Sequence, residues 1–313
     1  VVPDGPRLFC CYYWVPLVKI RLLVVISLIL CAACARAWAA DAFRPYKDAL
    51  FAYPEIRALS NSGAFLEVGY DIQRDLRDRD AIDEKRVHGE YVSLRPNWAQ
   101  RRVTLPFSGG RSEHLRIGDV ERTTKALIVY LHGKGGNAAQ GMNDYSFGGN
   151  FNRLKNLSYR NDVVYASLSL IDFDDVGAAQ VLDLIAYYRQ GRPALRVVLA
   201  CGSMGSLVCY RLAKDEESAE LLDGLVMLGG AIDPTFADSA AAARRVPVFF
   251  AHGSADRAYS AASQVSAFES LLEQQPDYPA RFVLFHSGSH GTPIRMIDWR
   301  LSLNWLFTRF PKR

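Results

Sequence analysis

A chain of 313 residues, half of them hydrophobic and 22% charged, has the composition of an ordinary globular protein and could hold one large domain or two small ones. Its formal net charge of +4 is too small to argue for nucleic acid. Residues 1–40 carry most of it, with Arg7, Lys19, Arg21 and Arg36 against Asp4, and the remainder has no basic stripe interleaved with aromatics, so nucleic-acid binding is excluded.

The N-terminus reads as an address. Lys19 and Arg21 precede the apolar run Leu22–Cys34, and small residues follow in Ala35-Arg36-Ala37-Trp38-Ala39-Ala40. A basic n-region, a short apolar core and an A-x-A site predict a secretory signal peptide over residues 1–39, cut after Ala39. An uncleaved membrane anchor is the alternative, although the core is short for a full span. Acylation at Cys34 is a weaker variant, because Cys31 stands where such signals carry Leu. The protein is therefore expected to be exported, periplasmic or extracellular, with a possible tether to the membrane through its N-terminus. Four of the six cysteines lie in this leader, leaving Cys201 and Cys209. Both sit in apolar surroundings and are expected to be buried free thiols, with no metal-ligand spacing.

From Asp41, short β-like runs alternate with polar turns. Ala64–Tyr70 and Glu90–Leu94 are candidate strands, separated by the charged stretch Arg74–Arg86, which is expected to form a solvated helix or loop. Arg102–Leu105 and His114–Ile117 could add edge strands. After Arg122 the pattern changes. Ala126–Leu131, Asp162–Ser167, Arg196–Cys201, Gly224–Leu228, Val246–Ala251 and Arg281–Phe285 are continuous apolar runs, as expected of strands buried on both faces. Amphipathic segments Phe151–Leu157, Asp175–Arg189, Gly205–Lys214, Ala258–Gln274 and Pro293–Phe310 separate or follow them. This rhythm predicts a doubly wound, mostly parallel α/β sheet with helices on both faces, with the site beyond the carboxyl ends of the strands. No linker or repeat divides residues 40–313, which read as a single domain: 40–122 as N-terminal strands and 123–313 as the core.

The strongest chemical signal is Val197-Val198-Leu199-Ala200-Cys201-Gly202-Ser203-Met204-Gly205-Ser206-Leu207, a buried strand, a tight corner and a helix. Flanking residues at such a corner must be small, because the helix packs close against the strand. The run resembles the G-x-S-x-G nucleophile elbow of α/β-hydrolase superfamily serine hydrolases, of the esterase and lipase kind. Cys201 stands at the first glycine and is a departure from that pattern. A serine capping an ordinary βα turn is the plainer reading.

The resemblance implies the chain order Ser, acid, His. Asp256 lies in the loop after the run Val246–Ala251 and His290 in the loop after Arg281–Phe285, each at a strand end like Ser203. Ser203 is thus the expected nucleophile, His290 the base that takes its proton, and Asp256 the acid that orients the imidazole. Asp233 competes for the acid role and His286 for the base, while His252 is expected to hydrogen-bond within its own loop. The loop His132-Gly133-Lys134-Gly135-Gly136, after the first buried strand, is similar to the H-G-x-G-G oxyanion loop of the superfamily. The implied oxyanion donors are the backbone N–H groups of Lys134 and Met204, with the Lys134 side chain in solvent. A phosphate loop is discarded, since neither G-x-x-x-x-G-K-[ST] nor G-x-G-x-x-G is present.

The resemblance spans about Arg122–Arg313 and implies a serine hydrolase that cleaves a small-molecule carboxylic ester without metal or cofactor. A catalytically silent binding domain of the same fold is an alternative, and a peptidase or thioesterase is another. Only Gly229–Arg245 is available for a cap between two strands, too little for a lid domain. Gly141–Asn150, with Met142, Tyr145 and Phe147, could shape the mouth or be a plain surface loop.

Overall fold

The computed structural model describes residues 42–107, 109–118, 120 and 124–312. The expected leader, residues 1–39, lies outside them. None of the described helices is long and apolar enough to cross a membrane.

Among the described residues twelve strands form: β1 Ile56–Ser60, β2 Phe65–Gly69, β3 Asp80–Ile82, β4 Arg86–Val87, β5 Arg101–Phe107, β6 Gly110–Ile117, β7 Ala126–Leu131, β8 Val163–Leu168, β9 Arg196–Gly202, β10 Gly224–Leu228, β11 Val248–Gly253 and β12 Ala280–His286. β3 and β4 pair with each other, and the other ten make one sheet in the order β1-β2-β12-β11-β10-β9-β7-β8-β6-β5. The run from β2 to β8 is parallel, whereas β1, β6 and β5 join through antiparallel pairings.

Why the central runs become strands follows from their two-sided burial. All six residues of β7 are buried. Leu127, Val129 and Leu131 face one apolar core, while Ala126, Ile128 and Tyr130 face the other. The first core is closed by helices Asp175–Arg189, Gly205–Lys214 and Ala261–Gln274, through Val181, Leu184, Val208, Leu212, Phe268 and Leu271. The second is closed by helices Asn150–Arg160 and Trp299–Phe307, through Phe151, Leu154, Leu157, Leu303 and Leu306. At the far edge, β5 presents Arg101, Arg102 and Pro106, which discourage pairing with another chain.

The structure corrects several of these expectations. Glu90–Leu94 is not a strand: Gly89–Tyr91 is a short 3-10 turn, and the segment pairs with none of the described strands. The amphipathic segment Pro293–Phe310 divides into helices Thr292–Met296 and Trp299–Phe307. Ile297 turns extended, and Asp298 restarts the helix by accepting from the backbone N–H groups of Arg300 and Leu301. The chain also contains β1, which the apolar pattern does not reveal, because all five of its residues are exposed.

The charged stretch Arg74–Arg86 is not simply solvated, since Asp75, Arg79 and Asp80 are buried. Asp80 accepts both Nη groups of Arg295, at 3.1 Å and 2.5 Å, and Arg295 also donates to the carbonyl of Asp75 at 3.2 Å. Arg79 lies 4.7 Å from the Tyr91 ring centroid and donates to the carbonyl of Gly148. This stretch therefore latches the helix Thr292–Met296, which directly follows His290. Removing one member of a buried pair leaves the other uncompensated. Asp80→Ala is expected to lower stability by about 3–5 kcal/mol, measured as the urea midpoint; a loss under about 1 kcal/mol, the value typical of exposed pairs, would show that the latch contributes little.

Candidate active site

Ser203 sits on the turn between β9 and helix Gly205–Lys214, with φ of 50°. A non-glycine residue in this region is strained and must be held there. The Ser203 N–H donates to the carbonyl of Leu228 at 3.0 Å, and the Ser206 hydroxyl donates to the carbonyl of Ser203 at 2.8 Å. Gly205 is needed because a Cβ there would meet the carbonyl of Leu131 at 2.5 Å. Without one, the helix packs against the end of β7.

Cys201 and Cys209 are joined by a disulfide, which corrects the expectation of two free thiols. The sharp corner at Ser203 folds the helix back along β9. Residues eight apart in sequence thereby come to a Cα–Cα distance of 6.6 Å, within disulfide reach. Cysteine at the first position of the elbow is thus accommodated, its side chain turned into the core and tied to the helix behind the serine.

The loops after β11 and β12 bring Asp256 and His290 to Ser203. His290 Nε2 lies 2.9 Å from Ser203 Oγ, and His290 Nδ1 lies 2.8 Å from Asp256 Oδ2. With Nδ1–H donating to the carboxylate, Nε2 is free to accept the serine proton. The Asp256 side chain is fully buried, whereas that of His290 is 37% exposed and reachable from solvent. Asp256 Oδ1 accepts from the backbone N–H groups of Ala258 at 2.7 Å and Tyr259 at 3.2 Å. Its Oδ2 also lies 3.2 Å from Nε2 of His252, which is 3.1 Å from the carbonyl of Tyr259. Both neighbours are acceptors, so His252 Nε2 carries a hydrogen. Burial holds His252 below the ordinary imidazole range, keeping it neutral. His252 thus bonds within its own loop, as the sequence leads one to expect, and there it lies against the carboxylate that faces His290.

The competing residues lie elsewhere. Asp233 is 2.6 Å from Lys214 and accepts from Thr235; burial pushes its carboxyl up, but the hydrogen bonds from Lys214 and Thr235 outweigh this and leave it below the usual range. His286 Nδ1 is 2.9 Å from Glu67 on β2.

The loop after β7 closes the other side. A Cβ on Gly133 would meet Ser203 Cβ at 2.7 Å, so only glycine allows this approach. His132 Nδ1 lies 2.7 Å from the carbonyl of Gly133, and its Nε2 accepts the N–H of Leu170 at 3.0 Å. Burial keeps His132 below its ordinary pKa, in the neutral form this pattern requires. Gly135 occupies the left-handed region at φ 75°, and Gly136 donates its N–H to the carbonyl of Gly133. Lys134 is exposed. No acceptor among the described residues engages the backbone N–H of Lys134 or of Met204.

Phe147 brings the segment Gly141–Asn150 to Gly291, next to His290. That segment is tied down: Asp144 accepts from Lys155, Asn97 and Asn152, and Met142 is buried. A cleft of about 180 Å³ opens behind this segment, lined by Tyr70, Leu76, Glu84, Phe147, Ser289, Gly291, Thr292 and Arg295 and not by Ser203 or His290. Between β10 and β11 stand only a 3-10 turn and the four-residue helix Ala240–Ala243.

The strands bearing Gly133 and Ser203, β7 and β9, flank the point where the strand order reverses, where open α/β sheets place their sites. This sheet, with its antiparallel β6 and its site at the reversal, is an α/β-hydrolase fold. Comparison with solved structures supports the same assignment. A candidate α/β hydrolase of unknown function from Agrobacterium tumefaciens superposes with a TM-score of 0.54 at 12% identity, over 68% of this chain and 100% of that one. A serine-to-alanine variant of the feruloyl esterase module from Clostridium thermocellum, complexed with sinapinate, gives 0.54 at 16% identity, over 75% and 97%. A thermostable esterase gives 0.52 at 15% identity, over 68% and 63%. No family model matches the chain. No curated protein matches it either.

Proposed function

We propose that the protein is an exported serine hydrolase that cleaves a small carboxylic ester through an acyl-enzyme. The observation that carries this reading is the hydrogen-bonded run Ser203–His290–Asp256, gathered from the ends of three strands with the serine held at positive φ. Ser203 Oγ attacks the ester carbonyl carbon as His290 Nε2 takes its proton. The carbonyl oxygen gains the charge and is stabilised by the N–H groups of Met204 and Lys134. The tetrahedral species then collapses, and the alcohol leaves with the proton from His290. Water, activated by the same imidazole, adds to the acyl carbon and releases the acid.

The short segment between β10 and β11, with no lid domain, leaves the site open and suits a small ester better than a long, deeply buried acyl chain. Export rests on the leader sequence. The Cys201–Cys209 disulfide supports it, because such bonds persist in oxidising compartments.

Labelling with a fluorophosphonate probe, followed by peptide mapping, tests the activated nucleophile. Ser203 is expected to be the modified residue, and labelling should vanish in Ser203→Ala. A folded sample that does not react would instead support a silent binding domain.

A further inference from the structure

At the opposite end of the sheet from Ser203, where β2 and β12 begin, lies a groove of about 820 Å³. One strand length, about 20 Å, separates the two places. Its lining includes Arg244, Arg245, Arg281, Arg309 and Lys312, contributed by three separate stretches of chain, against the single carboxylate of Asp277. Since the chain beyond residue 40 has a net charge near +1, this concentration of positive charge is local and not a reflection of overall composition.

The arginines are held in place. The guanidinium groups of Arg281 and Arg309 lie 5.2 Å and 5.3 Å from the centroid of the same ring, that of buried Trp305. Arg245 lies 5.9 Å from the Tyr278 ring and donates to the carbonyl of Asp277. None of the ion pairs among the described residues involves Arg281, Arg309 or Lys312. Arg244 approaches Glu220 only at 3.9 Å, and its Nε is buried without a partner among the described residues. Burial, and then the facing charge of Arg309, hold the Arg281 guanidinium below its ordinary value, as expected where cations face one another without counter-charge.

We propose that this groove binds a ligand carrying two or more phosphoryl groups, at a site separate from Ser203. Guanidinium forks match phosphate oxygens two at a time, and stacking on an aromatic ring orients them in advance. A groove of this volume is large enough for a small polyanion. The same chemistry is offered by a soluble oligophosphate and by the headgroups of an anionic phospholipid surface.

The full chain is titrated with inorganic tripolyphosphate by calorimetry, and assayed for flotation with phosphatidylcholine vesicles with and without phosphatidylglycerol. Tripolyphosphate is expected to bind, with affinity falling as salt rises. The Arg281→Gln/Arg309→Gln double variant should weaken binding about tenfold or more, with a thermal midpoint within about 5 °C of the parent's and unchanged fluorophosphonate labelling. Ser203→Ala should bind as the parent does, which separates this site from the hydrolase reading. Flotation that requires phosphatidylglycerol and is lost in the double variant would identify the lipid headgroup as the source; tripolyphosphate binding without flotation would identify a soluble one. The proposal is overturned if neither probe binds, or if the double variant binds both as well as the parent does.

Discussion

Ser203→Ala is expected to lower kcat on any ester the protein turns over by about 10⁶-fold, the effect seen when the nucleophile of such a unit is removed. The size follows from the unit's cooperative nature. Without Oγ, His290 has no proton to take, and the N–H groups of Met204 and Lys134 have no covalent intermediate to stabilise. A residual rate of about 10³–10⁴ over water should survive from those donors and from substrate binding. KM should change little, because the serine contributes only its hydroxyl to the ground state. Stability should not fall, since Ser203 is strained at φ 50° and its backbone is held by Leu228 and Ser206, not by its own side chain. The measurement is kcat and KM for a p-nitrophenyl ester, alongside a thermal melt. Retention of more than about a hundredth of the parent rate would be incompatible with nucleophilic catalysis at this residue; general acid–base help alone is worth about 10²–10⁴.

How much of this arrangement could be read from the residues depends on how local its causes are. The strands from β7 to β12 are legible because burial on both faces leaves continuous apolar runs that end in small or polar residues. The elbow is legible for a similar reason, with Gly202 and Gly205 flanking the serine. What was not legible depends on pairings between distant parts of the chain. β1 is fully exposed and is held as an edge only by its pairing with β2, which pairs in turn with β12. The charges of Arg74–Arg86 look solvated in sequence because the partner of Asp80 is Arg295, more than two hundred residues away. The disulfide is not legible in the spacing of Cys201 and Cys209, because it depends on the reversal of direction at Ser203, which brings the helix back beside its own strand. His252 is legible as a residue that bonds within its own loop, to the carbonyl of Tyr259; that its Nε2 also comes within 3.2 Å of Asp256 depends on the turn between them, closed by the Asp256 N–H on the carbonyl of Gly253.

For the acid the sequence offers two candidates, Asp256 and Asp233, and their surroundings separate them. Asp256→Asn is expected to lower kcat by about 10⁴-fold, and Asp233→Asn by no more than a few-fold. Asp256 receives hydrogen bonds on both oxygens: two backbone N–H groups on Oδ1, and His290 Nδ1 on Oδ2, with His252 Nε2 3.2 Å from the same oxygen. An asparagine has only one oxygen to offer. If that oxygen faces Ala258 and Tyr259, its NH₂ group points at His290. The imidazole must then carry its hydrogen on Nε2, aimed at Ser203 Oγ, and cannot take the serine proton. If the amide turns the other way, its NH₂ collides with two backbone donors and a buried hydrogen bond is lost. Either orientation disables the base or strains the loop, and the first explains a large fall in kcat with little change in KM. Asp233 is 2.6 Å from Lys214 and bound to Thr235, so its amide variant should alter local charge without reaching the imidazole. Both variants should be compared by kcat, KM and thermal midpoint. A fall in kcat of less than about tenfold for Asp256→Asn would remove this residue from the unit, and a large fall for Asp233→Asn with unchanged stability would install the other acid in its place.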